Sequence, residues 1–281
     1  MLAARFFKFL FRFPFFRKYY FGLYVKLFKP HRWFAGKVVV QSYRRDLRIR
    51  LEIDEWIQQQ IFFFGDFDRR GMEYLDRTLD QGAVFIDIGA NIGCYSLVAA
   101  GKVGPEGKVI AFEPVTEIHA KLKDNLKLNA MHWARAEKKA VFDKDGTVVL
   151  HLAGSDNLGM SSVHRHDAEN GRTEEVKTVC LDNYLVDAGV DRVDLIKIDI
   201  EGAELEALKG MTNILNHFRP ALIIEVLDPD SAEGKEVFDV LKTLNYRPYS
   251  LQLDGSLADF RKYTSSEAYY NYVFLPEENR S

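Results

Sequence analysis

Apolar and polar positions change period along this chain, and the changes mark its elements. Residues 84–88, 108–112, 194–200 and 221–226 are short apolar runs, and residues 140–142 end another. Runs of this length bounded by turn residues predict buried strands. Between them, residues 94–102, 115–130, 203–215 and 233–244 repeat with helical spacing, Ile118, Leu122, Leu126 and Leu128 being one such set. Short strands are expected near residues 246–251 and 269–274, and residues 143–180 read as an insertion with strand character. Strands that alternate with helices form a parallel sheet covered on both faces. Right-handed crossovers then wind it in both directions. The expected fold class is therefore α/β, with a doubly wound, mostly parallel, Rossmann-like sheet over residues 81–281. Ligands of such sheets sit beyond the carboxyl ends of the strands. That rule selects residues 87–93, Glu113, residues 199–202 and Glu225.

Upstream the period differs. Val38, Val40, Leu47, Ile49, Leu51 and Ile53 alternate, which predicts strands at 37–43 and 46–53. Residues 54–64 are rich in Gln and Phe, and residues 70–80 suggest a short helix. Residues 35–80 are expected to form a cap beside the main sheet. In residues 1–34 a helix would place Leu2, Phe6, Phe9, Leu10 and Phe13 on one face, widened by Phe7 and Phe11. Arg5, Lys8 and Arg12 form a stripe on the other side, and Pro14 ends the segment. This is the pattern of a helix lying in a membrane interface. It is equally the pattern of a helix packed on its own domain or on a second subunit. The charges come too often for a spanning helix or for a secretory signal.

Composition adds one asymmetry. Of 281 residues, 47% are hydrophobic and 28% charged, enough to fill a sizeable core. Residues 1–45 hold eleven Lys or Arg and no Asp or Glu; removing those charges from the net −3 leaves −14 on residues 46–281. A basic arm predicts an anionic partner, such as a membrane surface. The acidic body argues against a nucleic-acid groove, and the regular stripe suits a surface helix better than an RNA-binding arm. Two cysteines, Cys94 and Cys180, match no metal-ligand spacing and fit a reducing compartment. The expected location is the cytoplasm, with the inner face of a membrane as the place where the arm would act.

Candidate chemistry lies in two turns. The first, Asp87-Ile88-Gly89-Ala90-Asn91-Ile92-Gly93, follows a strand and opens a helix. Glycine permits a sharp turn and close approach of a ligand. Its spacing is Gly-x-Asn-x-Gly rather than the dinucleotide pattern, and Asp87 would repel a pyrophosphate while suiting an ammonium group. Glu113 ends the next strand, where a carboxylate can accept both ribose hydroxyls of an adenosine ligand. A nicotinamide-dependent oxidoreductase is the alternative that shares the fold; a non-catalytic, membrane-associated binding protein is the other. The second turn is in KIDIEGAE, residues 197–204. Asp199 ends a central strand and is the leading candidate for a general base. Glu201 stands behind it, as do His151, His164 and His166 of the insertion. Glu201 and Glu204 also fit simple helix capping, and Lys197 a structural pairing with a carboxylate. Asp199, Glu201 and Glu225 could supply oxygens to a magnesium-type ion, but acids without fixed spacing are a weak signal and no metal is expected.

Taken together, VFIDIGANIGCYSL, AFEP with LKLN downstream, LDNY, LIKIDIEGAELEALKG and RPALIIEV resemble the FkbM-type methyltransferases over residues 70–228. The resemblance implies a class I methyltransferase fold with S-adenosylmethionine as donor and a hydroxyl acceptor, often on a sugar, glycolipid or related metabolite. Carried over by position, it implies that Asp87, Gly89, Asn91 and Gly93 contact the methionine part and that Glu113 holds the ribose. It also implies that Asp199 and Glu201 lie nearest the transferring methyl. Residues 1–34 lie outside the resemblance.

Overall fold

The computed structural model describes residues 2–154, 158–163, 171–264 and 269–277. Internal contacts divide the chain into two units, Met1–Asp68 with Gly154–Leu158, and Arg69–Ala153 with Gly159–Ser281.

The first unit opens with helices α1 (Leu2–Leu10), α2 (Pro14–Arg17) and α3 (Tyr20–Leu23), then a π-helical turn at Tyr24–Phe28. Strands β1 (Val38–Tyr43) and β2 (Leu47–Glu52) pair antiparallel, and α4 (Trp56–Phe64) follows. The core is aromatic, with Phe11, Tyr20, Tyr24, Phe28, Phe34 and Phe63 buried. Phe11 and Phe63 meet edge to face at 5.2 Å, a preferred aromatic geometry. The run rich in Gln and Phe is helix α4. Glu55 caps it by accepting from the backbone N–H of Ile57 and Gln58, and Gly65 ends it in the left-handed region. Gln59, buried in that helix, accepts from the Tyr20 hydroxyl at 3.0 Å and donates to the Ile53 carbonyl at 2.8 Å. Its polarity is thereby satisfied inside the core. Helix α1 forms as expected, but its apolar residues do not share one environment. Ala4 points inward while Leu2, Phe6 and Phe9 are exposed; just past the helix end, Phe11 is buried and Phe13 exposed.

The second unit carries the sheet. Its helices are α5 (Arg69–Thr78), α6 (Cys94–Val103), α7 (Thr116–Leu128), α8 (Leu181–Asp187), α9 (Glu204–Lys209), α10 (Thr212–His217) and α11 (Ala232–Thr243). Its strands are β3 (Val84–Ile88), β4 (Lys108–Phe112), β5 (Ala134–Glu137), β6 (Ala140–Val141), β7 (Gly146–His151), β8 (Thr173–Val179), β9 (Leu195–Ile198), β10 (Ala221–Glu225), β11 (Tyr246–Leu251), β12 (Leu257–Asp259) and β13 (Asn271–Pro276). Eight form one sheet in the order β12-β11-β13-β10-β9-β3-β4-β5. The pairings from β5 across to β10 are parallel, and β13, β11 and β12 add antiparallel. Every residue of β3 and β9 is buried, as strands covered on both faces require. Chain order reverses between β3 and β9, so the crevice for a ligand opens at their carboxyl ends.

Three details depart from the sequence pattern. The third parallel strand is β5, not residues 140–142; it lies at the sheet edge, where a half-exposed strand needs no apolar run. Residues 140–141 instead join β7 and β8 in a separate three-stranded sheet. The helix expected over 203–215 is two helices that break at Gly210, where a Cβ would stand 2.0 Å from the Phe142 carbonyl oxygen. Backbone from the insertion thus passes too close for a continuous side-chain-bearing helix.

Candidate active site

The first turn is held by its own backbone demands. Gly89, Asn91 and Gly93 have φ of +80°, +50° and +93°. A Cβ on Gly89 would lie 1.8 Å from the Asp199 carbonyl oxygen, and one on Gly93 would lie 2.7 Å from Leu122. The space beside each glycine is filled by the protein itself, so both serve close packing rather than ligand approach alone. Asn91 tolerates the left-handed region, and its side-chain oxygen accepts from the Ile92 N–H at 2.7 Å. Asn125 donates to the Ile92 carbonyl at 2.9 Å and ties the turn to α7.

Asp87 and Glu113 border this turn, both buried. Ser96 donates to Asp87 Oδ2 at 2.6 Å, while Oδ1 has no hydrogen-bond partner. Burial pushes the Asp87 pKa up, against the pull of Lys197 and Ser96. Asp87 lies beside Lys197 on the neighbouring strand, so the protein's own ammonium already answers part of its charge. The orphaned Oδ1 is an acceptor that an amino group of the methyl donor would satisfy. Glu113 accepts the N–H of Asn91 and of Val115, each at 3.0 Å. Lone pairs remain on both of its oxygens for ribose hydroxyls. These residues fit the donor that the turn predicts.

Burial raises the Glu113 pKa to about 7 despite those two backbone bonds. Two effects of opposite sign follow. The folded value lies above the unfolded one, so the stability this group contributes is full at acid pH and is lost as pH rises through 7. Ribose hydroxyls donate better to the carboxylate than to the neutral acid. Donor affinity is therefore expected to fall as pH drops below about 7, while Glu113→Gln flattens that dependence; calorimetric titration across pH 5.5–8.5 checks both, roughly spanning this transition.

The second turn closes against the first through Gly89 and Asp199. Lys197, 4% exposed, donates to Asp199 Oδ2 at 2.9 Å and lies 4.9 Å from the Tyr95 ring centre. Burial alone would lower the Lys197 pKa, but Asp199 and Asp87 outweigh it and hold it above the ordinary lysine range. Glu201 has φ +55° and Gly202 φ +105°. Ser162, which nothing in the sequence singled out, donates to the Glu201 carbonyl at 2.7 Å and steadies that strained residue. Glu204 accepts from the N–H of Ile200 and Gly202 at 3.1 and 3.3 Å, which holds the turn before α9 rather than capping that helix. Asp199, Glu201 and Glu225 bring carboxylate oxygens within 4.8 Å of one another. Burial, then the charges of Asp199 and Glu201, push the Glu225 pKa well above the usual carboxylate range, and Glu225 hydrogen-bonds Asp199. The Lys197 ammonium already answers part of the trio's charge.

Beside this turn opens a cleft of about 570 Å³, lined in part by Ser162, Glu201, Glu225, Asp228 and Ser231. It lies on the β10 side, and the glycine turn lies on the β3–β4 side. Strand β9 runs between β3 and β10. Asp199 therefore stands between the two regions, reaching the cleft through Glu225 rather than lining it. His151 does not line the cleft; its backbone pairs with Ser162. His164 and His166 lie outside the described residues.

The chain is 26% identical over 225 residues to the AMB antimetabolite synthetase AmbE of Pseudomonas aeruginosa, a match covering 68% of this chain and 10% of that protein. The chain thus spans about a tenth of the length of that relative. It is 25% identical over 224 residues to the hexuronic acid methyltransferase AglP of Haloferax volcanii, covering 78% and 80% of the two. It is 26% identical over 211 residues to the 31-O-demethyl-FK506 methyltransferase FkbM of Streptomyces tacrolimicus, covering 65% and 78%. Neither the oxidoreductase nor the non-catalytic alternative finds support in these matches. Residues 87–251, from the first acid of the glycine turn to the end of β11, match the methyltransferase FkbM domain; the chain belongs to the FkbM family of methyltransferases, whose methyl donor is S-adenosylmethionine.

Proposed function

We propose that the chain methylates a hydroxyl oxygen on a sugar, glycolipid or related metabolite. The observation that carries this reading is the position of Asp199 between the glycine turn and the acid-lined cleft. When bound, S-adenosylmethionine supplies the electrophilic methyl group of its sulfonium. Asp87, Gly89, Asn91, Gly93 and Glu113 form the donor side. The acceptor occupies the cleft on the β10 side and extends its reacting hydroxyl past Glu225 to Asp199, between the cleft and the glycine turn. Most of the rate gain comes from holding the hydroxyl oxygen in line with the methyl carbon. As the carbon–oxygen bond forms and the carbon–sulfur bond breaks, the hydroxyl proton goes to the Asp199 carboxylate. Lys197 donates to that carboxylate and fixes it, and Glu225 hydrogen-bonds it from the cleft side. Glu201, at the turn beside them, positions the acceptor.

A relative named for hexuronic acid supports a sugar acceptor, and one named for an O-demethyl compound supports oxygen as the accepting atom. The proposal places the enzyme in the cytoplasm, and its basic arm, residues 1–34, suits contact with an anionic membrane surface. The experiment is transfer of labelled methyl from S-adenosylmethionine into a cell extract, separated into lipid, polysaccharide, protein and small-molecule fractions. Label in a base-stable ether within the lipid, polysaccharide or small-molecule fraction is expected. Label confined to protein would overturn the reading.

A further inference from the structure

We infer that the first unit docks on an anionic lipid bilayer through a row of outward aromatic side chains that is separate from its packing face. Helix α1 has two apolar sides. Ala4 and Phe11 are buried, and the Phe7 ring meets the Phe28 ring at 4.9 Å. That side makes core. On the other, Leu2, Phe6, Phe9 and Phe13 stand 86%, 59%, 58% and 49% exposed. Leu2, Phe6 and Phe9 are four and three residues apart, one line along α1, and Phe13, in the turn after the helix, meets the Phe9 ring at 5.7 Å. Phe15, Tyr19 and Phe21 extend the exposed set at 60%, 49% and 65%. Seven large apolar side chains held in water within twenty residues form a patch of the kind that marks an interaction surface.

Charge selects the occupant. Residues 1–45 carry eleven Lys or Arg and no acid. Arg5 falls on the flank of the outward row at about 100° per residue, Arg12 lies in the turn just past the helix, and both are exposed. Arg17 and Lys18 are exposed beside Phe15 and Tyr19; the Lys18 ammonium lies 4.4 Å and 5.0 Å from those ring centres. Rings that sink to the acyl boundary while ammonium and guanidinium groups stay at phosphate level match an anionic bilayer. A second copy docking through the same face would set two wholly basic surfaces against each other, which like charge disfavours. RNA would use rings as separate stacking platforms, whereas one continuous row fits a bilayer plane. Among the described residues no helix is long and apolar enough to cross a membrane, so contact is at the surface.

Removing residues 1–34 is a poor test, because Phe11, Tyr20, Tyr24, Phe28 and Phe34 would leave the core with them. The full chain carrying Phe6→Ala, Phe9→Ala and Phe13→Ala removes only exposed rings. Sedimentation with phosphatidylcholine vesicles, with and without phosphatidylserine, reads the outcome in the absence of any methyl donor or acceptor. The unsubstituted chain is expected to bind the phosphatidylserine vesicles and to bind the neutral ones weakly. The triple variant should lose at least about tenfold in partitioning, with an unchanged melting temperature. Arg5→Gln with Arg12→Gln should lose about 25-fold. Absence of binding to phosphatidylserine vesicles, equal binding by the triple variant, or displacement from vesicles by single-stranded RNA would each overturn the inference. None of these outcomes bears on methyl transfer, so the two proposals fail separately.

Discussion

Asp199→Asn is expected to lower turnover by about a hundred- to ten-thousand-fold while donor affinity stays within a few fold. Asn keeps an oxygen for Lys197 but cannot take the hydroxyl proton. The choice of substitution matters because Lys197 is buried and its ammonium is bonded to Asp199 at 2.9 Å. Asp199→Ala would leave that cation without its closest partner, a change that costs about 3–5 kcal/mol when a buried pair is broken. Alanine would then confuse loss of chemistry with loss of fold. Single-turnover methyl transfer, calorimetric donor titration and a thermal melt separate the two. Retained turnover in Asp199→Asn, with a normal fold, would move the proton acceptor elsewhere in the cleft. Loss of donor binding in a folded Asp199→Asn would instead make Asp199 part of the donor site.

Gly89→Ala should damage both stability and donor binding. The added Cβ would stand 1.8 Å from the Asp199 carbonyl oxygen, and that neighbour is backbone rather than a flexible side-chain end. The residue also has φ +80°, which alanine adopts at a cost of about 1–2 kcal/mol. Overlap and conformation together predict a loss of about 3 kcal/mol or more. In a domain of this size that is roughly a 6–12 °C fall in melting temperature. The strand ends must separate to admit the methyl, so donor affinity should fall at least about a hundredfold. A variant that melts normally and binds donor normally would show that the glycine turn and the acid turn do not pack as described. Gly22, which has no neighbouring atom within 4 Å of a built Cβ, serves as the harmless control.

The legible part of this protein was its central repeat. Buried parallel strands need unbroken apolar runs, so β3 and β4 fall on residues 84–88 and 108–112 as the pattern predicts. Strand-end residues inherit their place from topology, which is why Asp87, Glu113, Asp199 and Glu225 could be chosen as candidates before any coordinate. Edge strand β5, with sequence ARAE, was hidden because an edge does not demand apolar residues on both faces. Helix α4 was hidden because its Gln residues find partners only in the folded core.

Tertiary structure decided the chemistry within that frame. Sequence paired Lys197 with a carboxylate, but only packing shows that the ammonium is buried between Asp87 and Asp199 and that Glu225 hydrogen-bonds Asp199 beside them. Sequence gave no reason to choose Ser162, because a serine in an insertion acquires meaning only when the loop reaches the Glu201 carbonyl. The same holds for the arm. Helical spacing determines that residues 2–13 are apolar on one side and basic on another, since that depends on geometry of one helix alone. Which apolar rings become core and which remain in water depends on what packs against the helix. Non-local packing sent Phe11 inward and left Phe6 and Phe9 outside.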